Sequence, residues 1–185
     1  MDELQKRMNH FVDYIQQSNF LQKKGLGNEI PYYIFDYDPR KELVIRSYIQ
    51  FVKERVQLNI IEINLYHLLL ELYEEEVGLE ALLELEASEG TNELYDALKP
   101  SLEGGRFAQA IAGKAQGADV IFLTGVGSIY PMIRSHNILN RLHQYITDIP
   151  VVMFYPGSYT GSELSLFNIF KDDNYYRAFR IGPAK

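Results

Sequence analysis

Two short segments of this sequence, DVIFLTG at residues 119–125 and IPVVMFYPG at residues 149–157, are apolar at nearly every position. A strand with one face in water alternates apolar and polar residues, so runs this continuous indicate strands that are buried on both faces. Such strands occur in parallel sheets whose two faces are covered by helices. This feature restricts the fold to the α/β class.

Helical and strand patterns alternate along the rest of the chain. The spacing of apolar residues predicts helices over 2–18, 40–55, about 66–98 and 91–114, the last broken near Pro100 and the two glycines 104 and 105. Another helix is expected to start at Pro131. Strands are expected in IPYYIFDYDP, LNIIEINL and YYRAFRI, with a short helix near 164–170. In the helix over 40–55, Val44, Tyr48 and Phe51 are expected to widen the buried stripe.

These elements predict one α/β domain over residues 1–185, built in three layers. Its sheet has about five mostly parallel strands, with helices on both faces. The strand count and spacing resemble a degenerate P-loop or AAA-like domain. In such a sheet, ligands bind at the carboxyl ends of the strands, which are the loops after Asp36, Thr124 and Tyr155.

Charge is distributed very unevenly along the chain. The net charge is −7, from 18 basic and 25 acidic residues. Eleven acidic residues and no Lys or Arg lie between Arg55 and Lys99, so that segment carries −11 and the remainder +4. A protein that coats DNA needs a basic surface to displace phosphate counterions, so direct nucleic-acid binding is not expected.

The acidic segment is predicted to form a helical insertion over about 66–98. Its glutamates include Glu74, Glu75 and Glu76, which would steer a basic partner towards this surface. The alternative interpretation is an ordinary solvated helix face. The chain has no cysteine, and no apolar run approaches the ~20 residues of a membrane helix, so a cytoplasmic protein is expected.

The glycines in GVGSIYP, Gly125 and Gly127, follow a buried strand, as in many phosphate-binding loops. The chain nevertheless contains no GxxxxGK[ST] string, so both the phosphate-binding lysine and the magnesium-binding hydroxyl of a P-loop are missing. The dinucleotide fingerprint also fails, because Pro131 stands where a further glycine would be needed. A structural turn is favoured over a nucleotide site.

Asp36 and Asp38 could form an acidic pair for metal-dependent phosphotransfer. The favoured alternative is a turn in which Asp38 caps the following helix. No histidine spacing predicts a metal site, and no serine lies in G-x-S-x-G. The sequence predicts no catalytic residue, no metal and no cofactor.

Polar and aromatic residues cluster near the predicted strand ends and in the last strand. These binding candidates are Arg134, Ser135, Tyr155, Pro156, Gly157, Tyr159, Tyr175, Tyr176 and Arg177. Tyrosine and arginine together are typical anchors of protein interfaces, and they also stack on bases and pair with phosphates. A third interpretation is that they are half-buried edge residues.

Three strings, FLTGVGSIYPMIRSHNILNRL, PVVMFYPGSY and NYYRAFRI, resemble the BrxB family, a small component of BREX bacteriophage-defence systems. The resemblance is strongest over residues 119–181. It implies a cytoplasmic, non-enzymatic protein that is encoded with a large ATPase, a DNA methyltransferase and a PglZ protein. It also implies a role in host methylation and phage exclusion through association with PglZ.

Two other functions stay open at this point. One is a nucleotide- or phosphate-binding regulatory subunit, or an enzyme, that uses the strand-end loops. The other is a DNA-contacting subunit that uses Arg134, Arg141, Arg177 and Arg180.

Overall fold

The computed structural model describes residues 2–22, 30–103, 105–172 and 178–182. The helices are α1 (Glu3–Ile15), α2 (Ser18–Leu21), α3 (Glu42–Arg55), α4 (Leu65–Glu76), α5 (Leu79–Glu89), α6 (Thr91–Glu103), α7 (Arg106–Lys114), α8 (Val126–Ile129) and α9 (Ser135–Leu142). The strands are β1 (Tyr32–Tyr37), β2 (Ile60–Asn64), β3 (Val120–Thr124), β4 (Val151–Tyr159), β5 (Leu164–Leu166), β6 (Phe170–Asp172) and β7 (Phe179–Arg180). A 3₁₀ turn, Pro39–Lys41, precedes α3.

Five strands form a parallel sheet in the order β2-β3-β4-β1-β7. Val151 of β4 pairs with Tyr32 on one side and with Ile121 on the other. The predicted α/β class with a mostly parallel sheet is therefore confirmed. Beyond its parallel part, β4 continues and pairs antiparallel with β5, which pairs in turn with β6.

The central strands supply side chains to two hydrophobic cores, one on each face of the sheet. Ile121 and Leu123 of β3 belong to the core shared with α4, α6, α7 and α9. Val120 and Phe122 belong to the core shared with α1, α2 and α3. Because successive side chains of a strand point to opposite faces, an apolar run such as this one fills both cores.

The N-terminal half follows the predicted pattern with small differences. The helix expected over 2–18 is two helices, since α1 ends at Ile15 and α2 begins at Ser18. In α3, Val44 and Phe51 are 48% and 51% exposed, so the prediction that they widen the buried stripe is wrong. They lie on its flanks, outside the sector that faces the sheet.

Two local predictions in the C-terminal half are wrong. The helix expected to start at Pro131 begins at Ser135, after the short helix α8. The expected helix near 164–170 is the hairpin of β5 and β6, because the continuation of β4 provides a strand for β5 to pair with. The break expected in the helical segment 91–114 lies beside Gly105, one of the two glycines named for it, which has left-handed backbone; Pro100 stays inside α6.

The acidic segment is helical, as predicted, and consists of α4, α5 and most of α6. Leu68 and Leu69 of α4 and Leu98 of α6 are buried against the sheet. Helix α5 contributes no buried side chain although it contains four leucines, and Leu83 is 66% exposed. Leu79 and Leu82 are partly buried, and α5 contacts the core through them. Across the described ranges, no helix is long and apolar enough to cross a membrane.

Candidate binding site at the carboxyl edge of the sheet

Asp36, the candidate acid on β1, forms ion pairs with two arginines. Its side chain accepts hydrogen bonds from Arg7 Nη2 at 2.8 Å and from Arg180 Nη2 at 2.8 Å. The backbone N–H of Tyr159 also donates to Oδ2, at 3.3 Å. The network joins α1, β1, β4 and β7, and the Asp36 side chain is only 4% exposed. The carboxylate therefore has a structural role, because its ion pairs and hydrogen bonds connect these four elements.

Asp38 faces solvent, away from this network. Its side chain accepts a hydrogen bond from the backbone N–H of Arg40 at 3.0 Å and forms an ion pair with the Arg40 guanidinium. Hydrogen bonding from Arg40 lowers the pKa of Asp38 to about 2. The structure therefore supports the interpretation of Asp38 as the cap of the turn before α3.

At the end of β3, Gly125 packs tightly against the preceding strand–helix connection. Gly125 has a φ of 73°, and a Cβ on it would lie 2.5 Å from Oδ1 of Asn64. That same oxygen accepts hydrogen bonds from the backbone N–H groups of Tyr66 and His67, and so caps α4. The glycine is needed for the close approach of two strand ends, and this structural role requires no phosphate.

Beside Gly125 lies an open cleft of about 510 Å³, which we call the β3 cleft. Glu62 of β2 lines it and accepts hydrogen bonds from Lys53 Nζ at 2.8 Å, Gln50 Nε2 at 2.9 Å and Thr124 Oγ1 at 3.2 Å. Partial burial acts to raise the pKa of Glu62, but these hydrogen bonds outweigh it and the net shift is downward. The carboxylate is ionised and already paired.

No motif or spacing in the sequence indicated this Glu62 cluster. The available signal was a charged residue in the middle of the apolar strand NIIEINL, since charge in such a place is expensive unless it is paired. Its partner Lys53 lies on a different element, α3, and no local spacing connects the two.

The candidates on β4 lie inside the protein. Tyr155 and Tyr159 are each 2% exposed, and the Tyr159 hydroxyl donates to the carbonyl groups of Gly161 and Ala178. Pro156 and Gly157 are also buried. A Cβ on Gly157 would lie 2.1 Å from the carbonyl oxygen of Ser165, so this glycine permits the pairing of β4 with β5.

The remaining candidates near this edge surround a smaller pocket of about 250 Å³, which we call the α9 pocket. Arg134 is exposed at its mouth, and Ser135 lines it with only 8% exposure. Gly127 of α8 packs under the Phe167 ring, where a Cβ would approach to 2.8 Å. Pro131 is exposed in the segment between α8 and α9.

Other predicted residues are not part of this edge. Glu74, Glu75 and Glu76 are exposed in the last turn of α4, which starts at the carboxyl end of β2 and runs towards the opposite edge. Glu76 forms an ion pair with Arg106, and Glu74 accepts a hydrogen bond from the backbone N–H of Leu79. Tyr175, Tyr176 and Arg177 lie outside the described residues.

Comparison with known proteins identifies the family. The family model described as BREX protein BrxB matches residues 61–181. A BREX protein BrxB from Bacillus cereus (strain H3081.97) is 41% identical, over 98% of this chain and 98% of its own length. A BREX protein BrxB from Escherichia coli O9:H4 (strain HS) is 32% identical, over 97% of this chain and 92% of its own length. No solved structure matches the chain. The resemblance noted in the sequence is therefore confirmed, and the chain belongs to the BrxB family of BREX proteins.

Proposed function

We propose that this chain is a non-catalytic component of a BREX phage-defence complex and acts by binding other protein components, in the first place a PglZ-type protein. In this proposal it is a cytoplasmic protein that supports host DNA methylation and phage exclusion. The BREX ATPase and methyltransferase are further candidate partners. The observation that carries the proposal is helix α5, which is rich in leucine and glutamate but has no fully buried side chain.

An exposed helix of this composition fits a docking surface. Val77 is 51% exposed and Leu83 66% exposed, so apolar side chains are available for contact. The glutamates around them provide a negative field that accelerates encounter with a basic partner and suppresses binding of acidic ones. Aliphatic contact would then provide affinity, since the hydrophobic effect contributes roughly 25 cal/mol per Å² buried.

The absence of a catalytic role is supported by the state of the carboxylates at the strand ends. Asp36 is paired with two arginines, Asp38 with Arg40, and Glu62 with Lys53. A general base or metal ligand needs a carboxylate that can reach substrate or metal. Using any of these three would first require breaking an ion pair.

We further propose that the fold is a degenerate P-loop or AAA-like domain. The strand order supports this proposal, because β1 lies between β4 and the last parallel strand, β7, while β3 and β2 follow on the far side of β4. At the end of β3, where such a domain places its magnesium-binding carboxylate, the chain has Thr124 and Gly125.

Co-purification with PglZ from cells that carry the whole operon tests the docking proposal. Glu75 and Glu80 are exposed, and neither forms a hydrogen bond or ion pair with another described residue. The E75K/E80K variant is expected to lose most of the recovered PglZ. The matched control D13K/E54K has the same charge change on exposed residues of α1 and α3 and should retain it. Equal recovery with both variants would contradict a role for the acidic helices.

A competing function is nucleotide binding in the β3 cleft, which is favoured by the size of the cleft and its place at the strand ends. Calorimetric titration of the purified chain with ATP or GTP and magnesium distinguishes the two. The docking proposal expects no heat of binding. Saturable binding that is lost in a Thr124→Val variant would favour the nucleotide function instead.

A further inference from the structure

The α9 pocket has the features of a binding site that is separate from the acidic helices. Its buried wall includes Val126, Tyr155 and Leu166, and its rim includes Ile169 and Phe170, which are 71% and 43% exposed. The large exposed apolar side chains at the rim continue directly into the buried wall. An apolar group that enters the pocket would therefore be removed from water on several sides.

Two cations lie at the mouth of this apolar pocket. Arg134 and Lys171 both line it, both are exposed, and neither forms an ion pair with another described residue. The pocket is thus positively charged, although the whole chain carries a net charge of −7. A group that suits it would carry negative charge next to an apolar part.

The first turn of α9 adds donors that point to the same conclusion. No side chain caps this helix, and the dipole of a helix favours negative charge at its N-terminus. Ser135, the first residue of the helix, is 8% exposed and lines the pocket, and its hydroxyl has no hydrogen-bond partner in the described ranges. The buried side-chain atom without a partner in the described ranges is Arg7 Nε, so the Ser135 oxygen is open to the pocket and its O–H group can donate to an incoming acceptor.

We propose that the α9 pocket binds the C-terminal residue of a partner polypeptide whose last side chain is apolar. The carboxylate lies at the N-terminus of α9 between Arg134 and Lys171 and accepts a hydrogen bond from Ser135. The side chain packs between Ile133 and Phe170. Capture of a terminal carboxylate by backbone N–H groups is an established mode of peptide recognition.

The size of the pocket favours a peptide terminus over a nucleotide. Its volume is about 250 Å³, below the roughly 300–1,000 Å³ of typical small-molecule sites. One or two side chains are enough to fill such a space. This inference does not depend on the proposed function, because the acidic helices and the α9 pocket are different surfaces.

An array of heptapeptides with free C-termini, printed beside amidated counterparts, tests the proposal with the purified full chain as the probe. Bound peptides are expected to end in an apolar residue, and amidation is expected to weaken binding about tenfold or more. In fluorescence anisotropy with the best peptide, R134E and K171E should each weaken binding about tenfold, and S135A by a smaller factor.

The control variant is R141E, which makes the same charge change on an exposed residue at the other end of α9 and should leave binding unchanged. Circular dichroism checks that each variant is folded. The proposal is overturned if the array shows no preference for apolar C-termini, if amidated peptides bind equally, or if R141E has the same effect as R134E. It is also overturned if inorganic phosphate displaces the peptide at equal concentration, since the pocket would then be a simple anion site.

Discussion

Replacing Asp36 by asparagine should destabilise the protein strongly while leaving its shape unchanged. The substitution keeps the size of the side chain but removes the negative charge that faces the Arg7 guanidinium, which is 8% exposed. Arg7 also donates to the backbone carbonyl groups of Asp36 and Ile181, at 2.7 and 2.9 Å, so it cannot turn out to solvent without breaking those bonds. Arg180 contributes less, because it is 46% exposed and remains hydrated.

Removal of one partner from a buried ion pair costs about 3–5 kcal/mol, because the other charge stays buried without compensation. For a protein of this length, ~1 kcal/mol shifts the melting temperature by roughly 2–4 °C, so D36N is expected to melt roughly 6–20 °C lower. Thermal unfolding followed by circular dichroism measures this shift. Stability of the native state as a whole is only about 5–15 kcal/mol, so the loss would be easily visible.

The matched control is D38N, which removes a charge two residues away in an exposed capping position and should lower the melting temperature much less. A double variant, R7M/D36L, replaces the charges by apolar groups and should recover much of the loss, since buried ion pairs are often no better than apolar packing. If D36N melted within a degree or two of D38N, the structural role assigned to the network would be refuted.

Three further predictions concern other parts of the molecule. Gly125→Ala should lower the free energy of unfolding by roughly 1–2 kcal/mol through the left-handed backbone alone, and it should also displace the Asn64 cap. The control Gly113→Ala, in a helix with open space around it, should be neutral or stabilising in the same melting experiment. The pKa of Glu62 is lowered in the folded state, so its contribution to stability is present above the unfolded-state pKa near ~4.3 and is lost as pH falls through the folded-state pKa. In urea unfolding, the stability of the Glu62→Gln variant should therefore fall less on acidification than that of the unmodified protein. An equal fall in both would contradict the ion pair. Burial raises the pKa of Tyr32, so in an ultraviolet pH titration Tyr32→Phe should remove phenolate absorbance that appears only well above pH ~10. If the variant instead lost absorbance that appears near pH ~10, the burial of Tyr32 would be contradicted.

The local sequence predicted those elements whose signals are strong and contained within a few residues. The apolar run at β3 indicated a strand buried on both faces, and the structure buries every one of its residues. Asp38 was recognisable as a cap because a capping side chain acts on backbone only two or three residues away. The leucine spacing of the acidic segment likewise indicated helices.

Predictions failed where structure depends on pairing with a distant segment. The hairpin of β5 and β6 was predicted as a helix. The local sequence of residues 164–172 carries no signal that β4 extends past the parallel sheet and pairs with β5. Asp36 was predicted as a candidate ligand for a metal or a partner, because ligands of parallel sheets bind at the carboxyl ends of the strands. Its arginine partners are 29 and 144 residues away in sequence, so no local pattern could connect them.

The amino-acid sequence alone determined the α/β class, the layered arrangement, the acidic segment and the membership of the BrxB family, since apolar periodicity, charge counts and long matching strings are properties of the chain itself. Tertiary structure alone decided which polar groups are available for binding. It placed Asp36 and Glu62 in ion pairs, buried Tyr155 and Tyr159, and left Arg134, Lys171 and Leu83 exposed. The physical reason is that availability depends on burial and on neighbours from distant segments, which exist only once the chain has folded.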